Sequence, residues 1–323
     1  MGESVVRTVL GDIPKDELGI VYAHEHLIIQ GGLGVMKKSD LKLDSIEKAV
    51  EEISDCKRFA AKTFVDFMPL DSGRNPVALM EIARKSETNI IATTGFHKPY
   101  YYDDLHWIYH YSIDDITDLL IQECEVGMDR HSYNGPLVER VSAKAGVLKG
   151  ASDYNVIKPV SQKLFEAVAM AHLETGIPIA THTEHGTCGI EQVELLTRFG
   201  VKPENVIICH MDRNPDFYVH KELAETGCYI EYDNATRIKY HPDIHSVQLI
   251  ERMIEAGYQD KILLGTDFAL RSYWKAYGGG PGMASLLESF IPRLIRHGIA
   301  EELVMGIMTK NPQNAFSLKE RGR

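Results

Sequence analysis

The chain has 323 residues, 44% of them hydrophobic and 25% charged. That mixture suits a folded enzyme and excludes disorder, collagen and coiled coil as descriptions of the whole. Lys and Arg total 35 against 46 Asp and Glu, a net charge of −11, which argues against nucleic acid or an anionic membrane as partner.

Five scattered cysteines without a CxxC read as reduced thiols of a cytoplasmic protein. The opening stretch MGESVVRTVL lacks the basic region and apolar core of a signal peptide. No apolar run reaches the roughly 18 residues of a membrane span. Eight short apolar, β-branched runs then alternate with amphipathic segments. The first run, 19–26, ends in His24-Glu25-His26 and precedes a helical pattern over 45–61. The second, 63–69, carries Asp66, and the helix 77–86 follows. The third, 89–97, ends in His97-Lys98, and the helix 112–126 follows. The fourth, 145–151, holds Lys149 and leads into the helix 160–175. The fifth, 177–183, ends at His182 before 189–199, and the sixth, 206–212, contains His210 before 221–226. The seventh, 229–234, ends at Asp233 before 245–256, and the eighth, 262–268, ends at Asp267 before 283–297.

Strands alternating with helices predict a parallel sheet. Length alone suggests two domains, but eight strand–helix units in one chain fit a single (β/α)8 TIM barrel spanning residues 1–323. The alternative is a doubly wound sheet. It lacks its Gly-rich dinucleotide turn, because the cluster at 278–282 comes late and follows no strand directly.

Barrel enzymes build their sites at the C-terminal ends of the strands, so these ionisable residues are expected at one mouth. Residues i and i+2 of a strand share a face, which aims His24 and His26 at one point. Such a pair suits zinc, manganese, cobalt or iron, or is a structural hydrogen-bonded pair. His182, His210 and Asp267 at other strand ends bring more ligands than one metal needs. Two metals sharing a bridging anion would use them all. Lys149 is an ammonium in a buried run, costly unless it is neutralised by a carboxylate such as Asp267 or converted into that anion.

His24-Glu25-His26, Gly146-Val147-Leu148-Lys149, Thr181-His182-Thr183, Cys209-His210 and Thr266-Asp267 resemble, in order and context, the phosphotriesterase family of the amidohydrolase superfamily. The resemblance runs from the first strand to about Pro312. It implies a centre of two divalent ions (zinc, manganese or cobalt). By it, His24, His26 and Asp267 bind the buried ion, and His182 and His210 the exposed one. Lys149, carboxylated on its amine, bridges them with a hydroxide. The hydroxide would attack the substrate, and Asp267 would also carry a proton to the leaving oxygen. Relatives of this kind are commonly homodimers.

The loops after the last two strands, Asn234–His241 and Arg271–Tyr277 by number, are basic and aromatic in an acidic chain. Barrels often bind phosphate there. Lys239, Arg271 and Tyr273 are the expected phosphate contacts, with His97 and Lys98 near the mouth; otherwise these charges are a solvated surface. The pattern resembles the family branch that opens phosphorylated sugar lactones, a 1,4-lactone 5-phosphate being the small-molecule partner. The alternative is a phosphotriesterase or acyl-homoserine lactonase with the same centre. A metal-binding module that has lost catalysis fits less well, because the whole ligand set is present. Asp66 is expected to orient a histidine or cap a loop, and Asp233 to meet a substrate hydroxyl or form a turn.

Overall fold

The eight predicted runs form the eight parallel strands of one sheet, in chain order. A computed structural model describes residues 4–321; residues 1–3, the start of the stretch read against a signal peptide, lie outside the described residues, as do 322–323. An N-terminal hairpin, β1 (Val5–Thr8) and β2 (Gly11–Pro14), precedes the barrel. The barrel strands are β3 (Ile20–Glu25), β4 (Ala61–Asp66), β5 (Asn89–Gly95), β6 (Val147–Ala151), β7 (Ile179–His182), β8 (Val206–Cys209), β9 (Tyr229–Tyr232) and β10 (Ile262–Leu264).

Alternation along the strands makes two cores. Val21, Val65, Ile91, Val147, Ala180, Ile207 and Leu263 face inward, with Val6 of the hairpin packed beneath them. Tyr22, Phe64, Ile90, Leu148, Ile179, Ile208 and Ile230 face outward against the helices. Both faces are therefore apolar, as parallel strands require. The barrel closes where the Asp267 N–H donates to the His24 carbonyl at 3.0 Å. Gly265 permits that approach, because a Cβ there would sit 2.7 Å from the His24 nitrogen.

The helices begin where the sequence supplies caps. Ser112 and Asp115 form a reciprocal capping box for Ile113–Glu125. Asn75 caps Pro76–Ser86, which has proline at its first position. The expected single helix over 283–297 is instead a wide π-type turn, Leu286–Phe290, followed by Ile291–Arg296. Pro292 cannot donate to the preceding turn, so the regular ladder does not run through. Two further helices, Glu301–Met308 and Lys310–Ala315, complete the described chain. Among the described residues no helix is long and apolar enough to cross a membrane.

Candidate active site

Simple alternation would turn His24 outward, since Val21 and Ala23 face the interior. The pairing of β3 with β4 slips between Tyr22 and Glu25. That irregularity lets Ala23 and His24 both serve the interior. Glu25 turns to the closing strand, where its carboxylate accepts from the Thr266 N–H at 2.9 Å and the Thr266 hydroxyl at 2.6 Å.

The His24 ring lies on Phe67, centroids 4.1 Å apart, and its Nδ1 is 2.7 Å from a Glu231 oxygen. Its Nε2 is buried with no hydrogen-bond partner and lies 3.8 Å from Asp267 Oδ1. His26 Nε2 approaches the same oxygen at 3.2 Å. His24, His26 and Asp267 thus bring one ligand atom each within 4.8 Å of one another. Burial holds the His24 pKa well below the ordinary value, so the ring is neutral, the form that ligates. A carboxylate on the far nitrogen of such a ring fixes its tautomer and aim, which is the place Glu231 takes.

His210 follows β8 in the left-handed region, with φ 65°, and Asp267 follows β10 with φ 46°. Such non-glycine conformations persist where surrounding contacts enforce them. The Asp233 carboxylate supplies two of these contacts, accepting from the His210 backbone N–H at 2.9 Å and lying 2.7 Å from its Nδ1. His182 and His210 have ring centroids 4.6 Å apart. Burial lowers both pKa values, that of His182 to about 4. Lys149 is 1% exposed and donates to the Phe67 carbonyl at 2.9 Å. Among the described residues no carboxylate lies within ion-pair distance of it, so the salt bridge to Asp267 or another carboxylate, the alternative reading of Lys149, is not formed. Burial lowers its pKa, which nearby acids and Cys209 only partly offset.

Asp267 shows two different sides. Oδ1 faces the imidazoles; Oδ2 accepts from Arg213 Nη2 at 2.7 Å and from Arg237 Nη1 at 2.9 Å. Burial alone would raise its pKa, but the Arg237 charge, then the hydrogen bond with His26 and the nearby His210 and His24 rings, hold it well below the carboxylate range. Asp66 caps a loop, accepting from the N–H groups of Leu27 at 2.7 Å and Met68 at 3.1 Å.

His24, His26, Lys149, His182, His210, Arg213, Arg237 and Asp267 lie on the floor of one cavity whose rim includes Lys38, His97, Lys98, Glu184, Lys239, Tyr240 and Tyr273. The His97 ring stacks on Tyr101 at 3.9 Å and lies 4.6 Å from the His182 ring. Lys98 pairs with Glu184, whose carboxylate is also 3.2 Å from His182 Nε2. Lys239 sits over the Tyr240 ring, 4.9 Å from its centre.

Arg271 departs from expectation, because it does not line the cavity. Its Nη2 is 2.5 Å from an Asp44 oxygen and its Nε donates to the Lys42 carbonyl. The neighbouring Ser272 hydroxyl donates to Asp40 at 2.8 Å, and the Tyr277 hydroxyl accepts from the Asp44 and Ser45 N–H groups at 3.1 Å each. Arg271 therefore staples the loop after β10 to the loop after β3. The sequence marks Arg237 only as part of the basic loop after the seventh strand, and it singles out none of Arg213, Glu184 and Glu231. The i, i+2 rule that found His24 and His26 also relates Glu231 to Asp233 and would have found Glu231; no comparable pattern marks Arg213.

The sequence model of the phosphotriesterase family matches residues 4–316. A phospho-furanose lactonase of Mycoplasmopsis agalactiae is 35% identical over 327 residues, 98% of this chain and 93% of the relative. The crystal structure of an amidohydrolase from Mycoplasma synoviae superposes with TM-score 0.97 at 33% identity, covering 99% of this chain and 94% of that one. That of a lactonase from Listeria monocytogenes superposes with TM-score 0.91 at 31% identity, covering 98% and 100%.

Proposed function

The chain belongs to the phosphotriesterase family, and from that premise we propose that it is a metal-dependent lactonase that opens a phosphorylated sugar lactone of the 1,4-lactone 5-phosphate type. The carrying observation is the contrast inside one cavity: a buried imidazole and carboxylate floor beneath a rim bearing Lys38 and Lys239, neither paired with a carboxylate among the described residues. The relatives named phospho-furanose lactonases support the same substrate class.

The donor set fits a divalent ion. The unpartnered Nε2 of His24 is a buried lone pair that an ion would satisfy. His24, His26 and Asp267 would hold one ion, and His182 and His210 the second. Lys149, its amine carboxylated, would serve both; burial lowers the lysine's pKa, which favours the free amine that such a modification needs. Zinc, manganese or cobalt all suit this set. When bound, the ions would supply a water-derived nucleophile at neutral pH and polarise the ester carbonyl.

The protein's own groups do the rest. Glu231 and Asp233 keep His24 and His210 aimed inward. Asp267 takes the nucleophile's proton on Oδ2 and hands it to the leaving oxygen. Lys239 and Tyr273 hold the phosphate, and His97 and Lys98 border the sugar. A neutral triester or an acyl chain would want apolar walls in place of these cations, which disfavours the phosphotriesterase and acyl-homoserine lactonase readings.

The test is kcat/KM for one γ-lactone with and without its 5-phosphate, on metal-loaded protein. A preference of ~100-fold or more, about 2.7 kcal/mol, is expected for the phosphorylated form. Equal rates would remove the phosphate from the proposal.

A further inference from the structure

Arg237 sits beside the metal-ligand set without belonging to it. Nη1 donates to Asp267 Oδ2 at 2.9 Å and also to the Asp267 backbone carbonyl, and Nε donates to Asn234 Oδ1 at 3.3 Å. Nη2 is buried and has no partner. The side chain is 5% exposed, lines the cavity, and lies 5.6 Å from the Tyr240 ring centre and 5.8 Å from that of Tyr273. Leaving a charged N–H buried and unbonded is costly, and a cavity is where a ligand atom can meet it. Nη1 and Nη2 share one carbon, so the free N–H stands next to the carboxylate oxygen that handles the proton. Arg213 differs: its Nη2 is shared among Asp267, His210 and Asp233, and its buried atom without a partner is Nε, beside its own aliphatic stem.

We propose that Arg237 is a catalytic residue that donates a hydrogen bond from Nη2 to the leaving ring oxygen of the lactone. The assignment rests on the lactonase reading. In the step, the nucleophile's oxygen bonds to the acyl carbon. The ring C–O bond breaks, and its electron pair stays on the ring oxygen. The nucleophile's proton travels through Asp267 Oδ2 to that oxygen, which becomes a hydroxyl. Arg237 keeps all its protons and offsets charge as the bond opens.

The test compares Arg237→Met and Arg237→Lys with wild type, metal-loaded, on a 1,4-lactone 5-phosphate and its 4-thio analogue, which differ in the leaving atom alone. A thiolate leaves without help from a hydrogen bond. For Arg237→Met, kcat on the oxygen lactone should fall roughly 100-fold or more, with KM moving less than about threefold and the thiolactone losing less than about fivefold. Arg237→Lys should recover part of the loss, and metal content should stay at the wild-type value. Equal losses on both substrates, a rise in KM alone, or lost metal would overturn the assignment while leaving the lactonase reading in place. Wild type inactive on both lactones would overturn that reading and the assignment with it.

Discussion

The floor of the cavity and its rim bear similar numbers of ionisable groups but hold them by different means. On the floor, His24, His182, His210 and Asp267 stand at the ends of barrel strands, Lys149 in the middle of β6, and all five are buried. Four of the five have a second contact behind them: Glu231 behind His24, Asp233 behind His210, the Phe67 carbonyl behind Lys149 and two arginines behind Asp267. On the rim, Lys38 and Lys239 are exposed on loops, and Tyr240 and Tyr273 are half-buried. The floor is fixed before a ligand arrives, at the cost of buried charge and left-handed backbone. The rim keeps long, solvated side chains that a charged ligand can gather. Substitutions in the two regions should therefore fail in different ways.

Lys149→Ala should have the largest effect, abolishing turnover of the plain and the phosphorylated lactone alike. Metal analysis of the purified variant should show depleted metal; full occupancy would break the assignment of Lys149 to the floor. Glu231→Gln keeps the shape but weakens the hold on His24. Metal affinity, read by chelator competition, should fall on the order of 10- to 100-fold, again without regard to the phosphate. Lys239→Ala should raise KM for the phosphorylated lactone roughly tenfold, the scale of one hydrogen bond to a charged group. The plain lactone should hardly notice; a matching loss there would move Lys239 from rim to floor. Arg271→Ala should be the mildest. It removes a half-exposed ion pair to Asp44, so denaturant melts should show a loss under about 1 kcal/mol. A KM rise on the phosphorylated lactone as large as that of Lys239→Ala would mean that Arg271 leaves Asp44 for the ligand.

The barrel was legible because its evidence is local and repeated. Eight apolar runs at strand length, each followed by a helical pattern, leave few topologies. The residues ending those runs are named by position alone, which is why the structure places His24, His26, Lys149, His182, His210 and Asp267 together. Alternation nevertheless gave the right face for His24 for an incomplete reason: Val21 and Ala23 already occupy the inner face, and the slip against β4 is what turns His24 inward. A pairing irregularity depends on the neighbouring strand and has no signature within β3.

Arg237 and Arg271 mark the limit most sharply. Both lie in basic, aromatic loops after consecutive strands, and the sequence offered no way to tell them apart. The sequence determined which loops would carry cations, and which ionisable residues would end the barrel strands, because both follow from residue type and strand period. Only the tertiary structure decided where each cation points. Asp44, 227 residues away in the chain, captures Arg271 and turns it from the cavity, while the carboxylate and carbonyl of Asp267 draw Arg237 into it. A guanidinium settles against the carboxylate that folding brings within reach, and that distance is set by the closed barrel rather than by the loop that bears it.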